Sequence, residues 1–179
     1  MQFDRDKFKA LFHYVVWSAG VRAGFGAEKI YKVLWFADAH AYALFDEPIT
    51  GESYVRGKDG PFPRHGLPVI QELIDDSMIR CLDYTYFNIP IKYFHSLRAP
   101  EKLSLSHLHK EIIEKWIKNV SNEYHTATSS SEETYDHAWK MVDIDEELPY
   151  RAIFANRIRE PDGEELEWVL KRLQELRLA

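Results

Sequence analysis

Residues 31–45 read Tyr-Lys-Val-Leu-Trp-Phe-Ala-Asp-Ala-His-Ala-Tyr-Ala-Leu-Phe, and they decide the fold of this 179-residue chain. Apolar residues recur here at helical spacing, and Trp35, Phe36 and Tyr42 add apolar surface on the remaining sides. A helix that is apolar almost all round is usually central, with other elements packed on several of its sides. We therefore predict a central helix from Ala27 to Phe45.

A stretch rich in proline and glycine follows this helix. Residues 48–55 read Pro-Ile-Thr-Gly-Glu-Ser-Tyr-Val, and residues 60–63 read Gly-Pro-Phe-Pro. This composition predicts an ordered loop over residues 46–63 that packs on the helix. Most aromatic residues of this region belong to the core. Tyr54 and Phe62, at the rim of the loop, are predicted to anchor a protein partner together with Arg56, because aromatic and arginine side chains dominate binding hot spots.

The remaining pattern predicts a mainly α fold of the α+β class with one small β-hairpin. A first helix covers residues 5–19, with Asp4 as its N-cap. The other predicted elements are a helix at 67–76, strands at 79–87 and 91–97, a helix at 105–123, short helices at 137–141 and 148–156, and a final helix at 161–178. No repeat or boundary divides the chain, so we predict a single domain over residues 1–179, with its core at about 5–156 and the final helix as its end.

Composition and charge favour a soluble cytoplasmic protein. Hydrophobic residues make up 45% of the chain and the formal net charge is −6, which argues against a general phosphate-binding surface. Cys81 is the single cysteine, so no disulfide framework is predicted. The first residues lack the apolar core of a signal peptide, and no apolar run is long enough to cross a bilayer.

Histidines and carboxylates form no local catalytic or metal-binding motif. Asp38 and His40 are two residues apart, so on a helix their side chains diverge by roughly 200° and cannot share one ion. His107 and His109 fail by the same geometry. Ligation over a longer range, with His137 joining Asp38 or His40, stays open and defines the alternative hypothesis of a metal-dependent or hydrolytic enzyme. We otherwise predict no catalytic residue, metal or cofactor, and a hydrogen-bonded structural role for Asp38 or His40 that fixes the helix against the Gly60-Pro61 loop.

The order of three helices and a hairpin is also that of a winged helix, which suggests a second alternative, a nucleic-acid binder. Its recognition helix would be residues 67–76. This segment carries three acids and no Lys or Arg, whereas base and phosphate recognition needs basic and amide side chains. We therefore predict that nucleic acid is not the partner, even if the shape resembles a winged helix.

The segment from Lys32 to His40, with residues 48–55 and the Gly60-Pro61 pair, resembles the Panacea antitoxin domain, a family also described as SocA-like or phage-associated proteins. Residues 135–139, which include His137, resemble a second signature of the family, and the resemblance extends over about 5–156. Trp35 stands where the family usually has Tyr, and Asp59 replaces a residue that is commonly Tyr or neutral. The positions matching the family motif are Lys32, Trp35, Asp38, His40, Gly51, Gly60, Pro61 and His137.

The resemblance implies a protein that neutralises a toxin by direct contact, or an adaptor that delivers the toxin to a protease. The toxin is commonly encoded by a neighbouring gene, and the family's toxins are diverse, so the domain does not name its partner. An acidic, aromatic-rich helical domain without a catalytic motif fits a binding role, and its charge suits a basic partner. The oligomeric state and the interface are not determined by the sequence.

Overall fold

The computed structural model describes residues 2–20, 25–58, 60–86, 89–100, 105–122 and 142–157. Within these ranges the chain is mainly helical with small antiparallel sheets, which confirms the α+β class. The elements in chain order are α1 (Arg5–Ala19), α2 (Ala27–Phe45), β1 (Tyr54–Gly57), β2 (Gly60–Pro63), α3 (Leu67–Asp75), β3 (Ile79–Tyr86), β4 (Ile89–Ser96), α4 (His107–Asn122), β5 (Glu147–Leu148) and a 3-10 helix (Tyr150–Arg157).

Helix α2 lies at the centre of the domain, as its sequence predicts. It contacts α1, α4, β2, β4 and the 3-10 helix, and Leu34, Trp35 and Phe36 are fully buried. Both predicted ends of α2 are confirmed. The N-cap of α1 is also confirmed, because an Asp4 carboxylate oxygen accepts the backbone N–H of Lys7 at 3.0 Å.

Residues 46–63 are not simply a loop, because their second half is a β-hairpin. Strands β1 and β2 pair antiparallel, with Tyr54 opposite Pro63 and Val55 opposite Phe62. Strand β5 pairs with the other side of β1, which gives the order β2-β1-β5. Two prolines are tolerated in β2 because it is an edge strand, where a missing N–H donor costs little. This hairpin also separates α2 from α3, so the predicted run of three helices is interrupted.

The region after residue 142 corrects a second prediction. Residues 148–156 were expected to be a helix started by Pro149, but Glu147 and Leu148 form β5 and the turns that follow are 3-10. The N–H of Ala152 donates to the carbonyl of Pro149 at 2.9 Å, which is the i to i+3 spacing of that tighter helix. The helices predicted at 137–141 and 161–178 lie outside the described residues.

The second hairpin and the last described α-helix agree with their sequence patterns. Strands β3 and β4 pair along their whole length, with Cys81 opposite Phe94. Phe94 packs edge-to-face on Phe12 of α1, with ring centroids 5.2 Å apart. Helix α4 begins at His107, two residues later than predicted, and Ile113 and Ile117 are buried in the core. Among the described residues, no helix is long and apolar enough to span a membrane.

The N-terminal segment, residues 2–4, is held against the loop that precedes β1. The N–H of Asp4 donates to the carbonyl of Thr50 at 2.8 Å. Gly51 has a φ of +67°, and a Cβ at this position would lie 2.4 Å from the carbonyl oxygen of Gln2. Both the backbone conformation and the close approach of the N-terminal segment therefore require glycine at position 51.

We expect Gly51→Ala to destabilise the protein more than Gly20→Ala. Gly20 also has a positive φ, of +59°, but a Cβ there has open space, its nearest neighbour being 4.0 Å away. Gly20→Ala should cost about 1–3 kcal/mol through backbone strain, because Gly20 has φ 59° and ψ −149°, and Gly51→Ala should cost about 1–3 kcal/mol more through the clash. Urea unfolding of both variants measures the difference. Equal losses would show that the N-terminal segment is not held at Gly51.

Candidate functional site

Asp38 places a carboxylate in the centre of the protein. It is fully buried on α2, and three donors from the segment after that helix surround it. The N–H of Thr50 donates to Oδ1 at 2.7 Å, the Thr50 hydroxyl to Oδ2 at 2.5 Å, and the Tyr54 hydroxyl to Oδ2 at 2.8 Å. Burial raises the pKa of Asp38 to about 6, although these hydrogen bonds oppose the rise.

Glu52 is a second buried carboxylate beside the first. Its side chain has no exposed surface, and Oε1 accepts the backbone N–H of His65 at 2.9 Å and is 3.0 Å from His65 Nδ1. Burial raises the pKa of Glu52, while the contacts with His65 and the backbone N–H of Ser53 lower it. Oε2 is buried and has no hydrogen-bond partner. The charge of Glu52 also contributes to raising the pKa of Asp38, so the two carboxylates are electrostatically coupled.

Four parts of the chain meet at this cluster of Asp38, Thr50, Glu52, Tyr54, His65 and Tyr150, which we call the carboxylate cluster. The hydroxyl of Tyr150, in the 3-10 helix, donates to the backbone carbonyl of Glu52. The rings of Tyr54 and Tyr150 are 6.3 Å apart. Burial raises the pKa of both tyrosines, so both hydroxyls stay protonated and act as donors. The cluster thus connects α2, the segment from Thr50 to the first residue of β1, the turn between β2 and α3, and the 3-10 helix.

His40 faces a different element from Asp38, as the helical geometry predicts. The indole N–H of Trp116, on α4, donates to His40 Nδ1 at 3.0 Å. The same indole stacks on Phe36 with ring centroids 4.1 Å apart and planes within 9°. The two polar residues of the motif therefore connect α2 to opposite neighbours, Asp38 to the segment at Thr50 and Tyr54 and His40 to α4. The Gly60-Pro61 loop, predicted as their contact, bonds to neither of these side chains.

Among the described residues, the structure brings together no group of side chains that supports the enzyme hypothesis. Asp38 and His40 do not converge, and His137 lies outside the described residues. Across residues 2–157, apart from the gaps stated above, no three His, Cys, Asp or Glu side chains are grouped to hold a metal ion. Asp38 and Glu52 are 0% and 1% exposed, which leaves a substrate no surface at which to meet either carboxylate.

The three predicted partner contacts differ in exposure. Tyr54 was expected at the rim of a loop, but it is 1% exposed and belongs to the core, since its hydroxyl reaches Asp38. Phe62 is half-buried and packs edge-to-face on Tyr31 of α2 at 5.4 Å. Arg56 is also half-buried, and its guanidinium donates to the carbonyl of Val142. Phe62 and Arg56 therefore keep partial access to solvent, whereas Tyr54 does not.

Other residues of the predicted motif support the fold directly. A Cβ at Gly60 would lie 3.2 Å from Cε of Lys32, so the absence of a side chain there makes room for the lysine stem. Pro61 is buried in β2, and Trp35 is fully buried, with Phe36 edge-on at 4.8 Å. Sequence reasoning did not place Thr50, Glu52, His65 or Tyr150 in one site with Asp38. Thr50 and Glu52 lie inside the quoted block 48–55. The available signal for their role was Asp38 on the preceding helix, since a buried acid needs hydrogen-bond donors.

The fold and the cluster define an α+β domain in which an apolar central helix carries an inward-facing carboxylate that binds the following loop and hairpin. A family model described as "Antitoxin SocA-like, Panacea domain" matches residues 30–140. The chain belongs to this family. The matched range includes most of α2 and everything from β1 to α4, but it is shorter than the predicted extent of about 5–156. No match was found among curated proteins or among solved structures.

We expect Tyr54→Phe to lower the free energy of unfolding by about 1.5–3 kcal/mol, the typical contribution of a hydrogen bond to a charged group. The ring stays in place, so the loss reports only the donor to Asp38. Tyr84→Phe is the matched control, because Tyr84 is 57% exposed on β3. Urea unfolding at pH 7.5 compares the variants. Equal stabilities would contradict a stabilising role for the Tyr54 hydroxyl.

Proposed function

We propose that this protein is an antitoxin that neutralises a partner toxin by direct protein–protein binding. Membership of the SocA-like antitoxin family carries the proposal. The burial of the motif residues supports it, because Asp38, Trp35 and Tyr54 stabilise the domain and offer no surface for a chemical reaction. A protein of net charge −6 favours a partner with a basic surface, since complementary charge speeds association. We further propose that both proteins act in the cytoplasm.

The neighbouring gene product is the proposed partner, and co-expression tests it. We expect that product to arrest growth when it is expressed alone, to be tolerated when this chain is co-expressed, and to co-purify with it as one species. A gene product that is harmless alone and does not associate with this chain would contradict the proposal.

Direct inhibition is proposed as the mode of action, with delivery of the toxin to a protease as the alternative. The half-life of the toxin after synthesis is stopped separates the two. Inhibition leaves the toxin stable in a complex, whereas an adaptor shortens its half-life when this chain is present. A shortened half-life would replace the first mode by the second while leaving the antitoxin role intact.

We propose Phe62 and Arg56 as contacts with the toxin, because both lie on the β1–β2 hairpin and remain partly accessible. Phe62→Ala should weaken the complex by at least about 1 kcal/mol, roughly fivefold in Kd, as interface anchors do. Leu44→Ala is the control, since Leu44 is 55% exposed at the end of α2. Calorimetric titration with purified toxin measures both, and circular dichroism verifies folding. If only Leu44→Ala weakens binding, the hairpin is not the interface.

Nucleic acid is not proposed as the partner. Helix α3 is the segment that a winged-helix protein would place in the major groove, and it contains no Lys or Arg. Its exposed face carries Gln71 and Asp75, and the Gln71 amide donates to the Asp75 carboxylate at 2.8 Å. The side chains of the helix itself offer phosphates no positive charge, and Arg5 and Lys9 of α1 beside it are paired with Glu72 and Asp76. Retention of the protein on DNA at low salt, where electrostatic binding is strongest, would contradict this conclusion.

A further inference from the structure

Asp38 and Glu52 are two carboxylates enclosed in one cluster with little positive charge to balance them. Among the described residues, the one ion pair that either makes is between Glu52 and His65, which is a cation only when protonated. Removing two negative charges from water is strongly unfavourable unless partners compensate. Asp38 has three donors, whereas Glu52 Oε2 has none. Oε2 of Glu52 is therefore the atom at which a bound proton would remove a buried negative charge that no donor compensates.

We propose that Asp38 and Glu52 form a proton-linked latch: the pair takes up one proton in mildly acidic solution and then holds the surrounding segments more tightly to α2. Because the two carboxylates interact, the proton belongs to the pair rather than to one residue. The proposal depends on the fold and not on the identity of the toxin.

The segments that the latch would hold all bond to the chain between Thr50 and Tyr54. Asp4 of the N-terminal segment donates its N–H to the carbonyl of Thr50, and the N–H of Arg64, just after β2, donates to the carbonyl of Ser53 at 2.9 Å. The hydroxyl of Tyr150 donates to the carbonyl of Glu52. Repulsion between two ionised carboxylates acts on the same short stretch, so it weakens all three attachments together.

The charged and titratable groups around the pair set the direction of the effect. Tyr54 and Tyr150 face it from β1 and the 3-10 helix, and both remain neutral donors near pH 7 because burial and the nearby carboxylates raise their pKa. His65 faces it from the turn between β2 and α3, half exposed. Glu147, on β5, lies beside Tyr150 and adds negative charge. Positive charge that would keep both acids ionised is thus confined, within the described part of the chain, to His65.

The direction of the pH effect on stability follows from the linkage between proton binding and folding. Burial raises the pKa of Asp38 from 3.8 to about 6 and also raises that of Glu52, so the folded state binds more protons than the unfolded state between about pH 4 and 6. The stabilisation is complete below the unfolded pKa and is lost as pH rises through the folded one. A rise in pKa of this size in one group lowers the folding equilibrium constant about tenfold between pH 5 and pH 7.5.

Carboxyl carbon chemical shifts of Asp38 and Glu52, followed by NMR in the wild-type chain from pH 4 to 8, test the uptake directly. We expect the Asp38 resonance to titrate near pH 6 and the Glu52 resonance to titrate above the ordinary pKa of a glutamate. Titration of both carboxyls near pH 4, as in unperturbed side chains, would overturn the proposal. This measurement requires no variant, so it decides the matter even if substitutions in the cluster prevent folding.

Amide hydrogen exchange tests whether proton uptake holds the surrounding segments more tightly. The Asp4 and Arg64 amides bond to the segment without contacting either carboxylate, and we expect their protection to fall about tenfold from pH 5 to 7.5 after correction for intrinsic exchange. Glu52→Gln should reduce this change, because it removes the charge that contributes to raising the pKa of Asp38, but it should not abolish the change, because the burial of Asp38 remains. Glu72→Gln, which alters a surface glutamate paired with Arg5, should keep the wild-type change. An unchanged pH dependence in Glu52→Gln would overturn the latch.

Discussion

The hydrogen bonds to the buried Asp38 carboxylate are the constraint on which the arrangement of the other elements depends. A carboxylate in the interior is tolerated only when donors replace the water it has lost. Thr50 and Tyr54 supply these donors from a segment that follows α2. The chain after α2 therefore has to turn back along that helix, and Gly51 allows it to do so at a positive φ.

Several further contacts depend on this turn. The carbonyl of Thr50 is directed towards the N-terminal segment and accepts the N–H of Asp4. Tyr54 starts the strand that pairs with both β2 and β5, and the 3-10 helix next to β5 bonds to Glu52. A change at Asp38 is thus expected to affect elements more than a hundred residues away in sequence, because they share one short stretch of backbone. The motif that identifies the family describes this architecture more than it describes a binding surface.

Local signals predicted helices α1 to α4 well, and contacts between distant residues account for what the sequence did not reveal. The ends of α2 and the Asp4 cap follow from spacing and capping preferences, which act within one turn of helix. The opposite directions of Asp38 and His40 follow from 100° per residue alone. The β1–β2 hairpin was missed because its proline-rich edge strand resembles a loop. Tyr54 was placed at the surface because its acceptor is sixteen residues away, on another element.

Buried acids with raised pKa values often mark catalytic sites. Here both carboxylates are inaccessible to solvent, which argues for another role. Both carboxylates face inward, and their donors come from the segments that they hold in place. His65 is the most exposed member of the cluster, with half of its side chain exposed, and Tyr150 is partly exposed. A partner that places charge beside His65 changes the energy of the buried pair, and linkage requires that protonation of the pair changes the affinity for that partner equally. The proposed latch therefore links the stability of the core to charge placed at the surface beside His65.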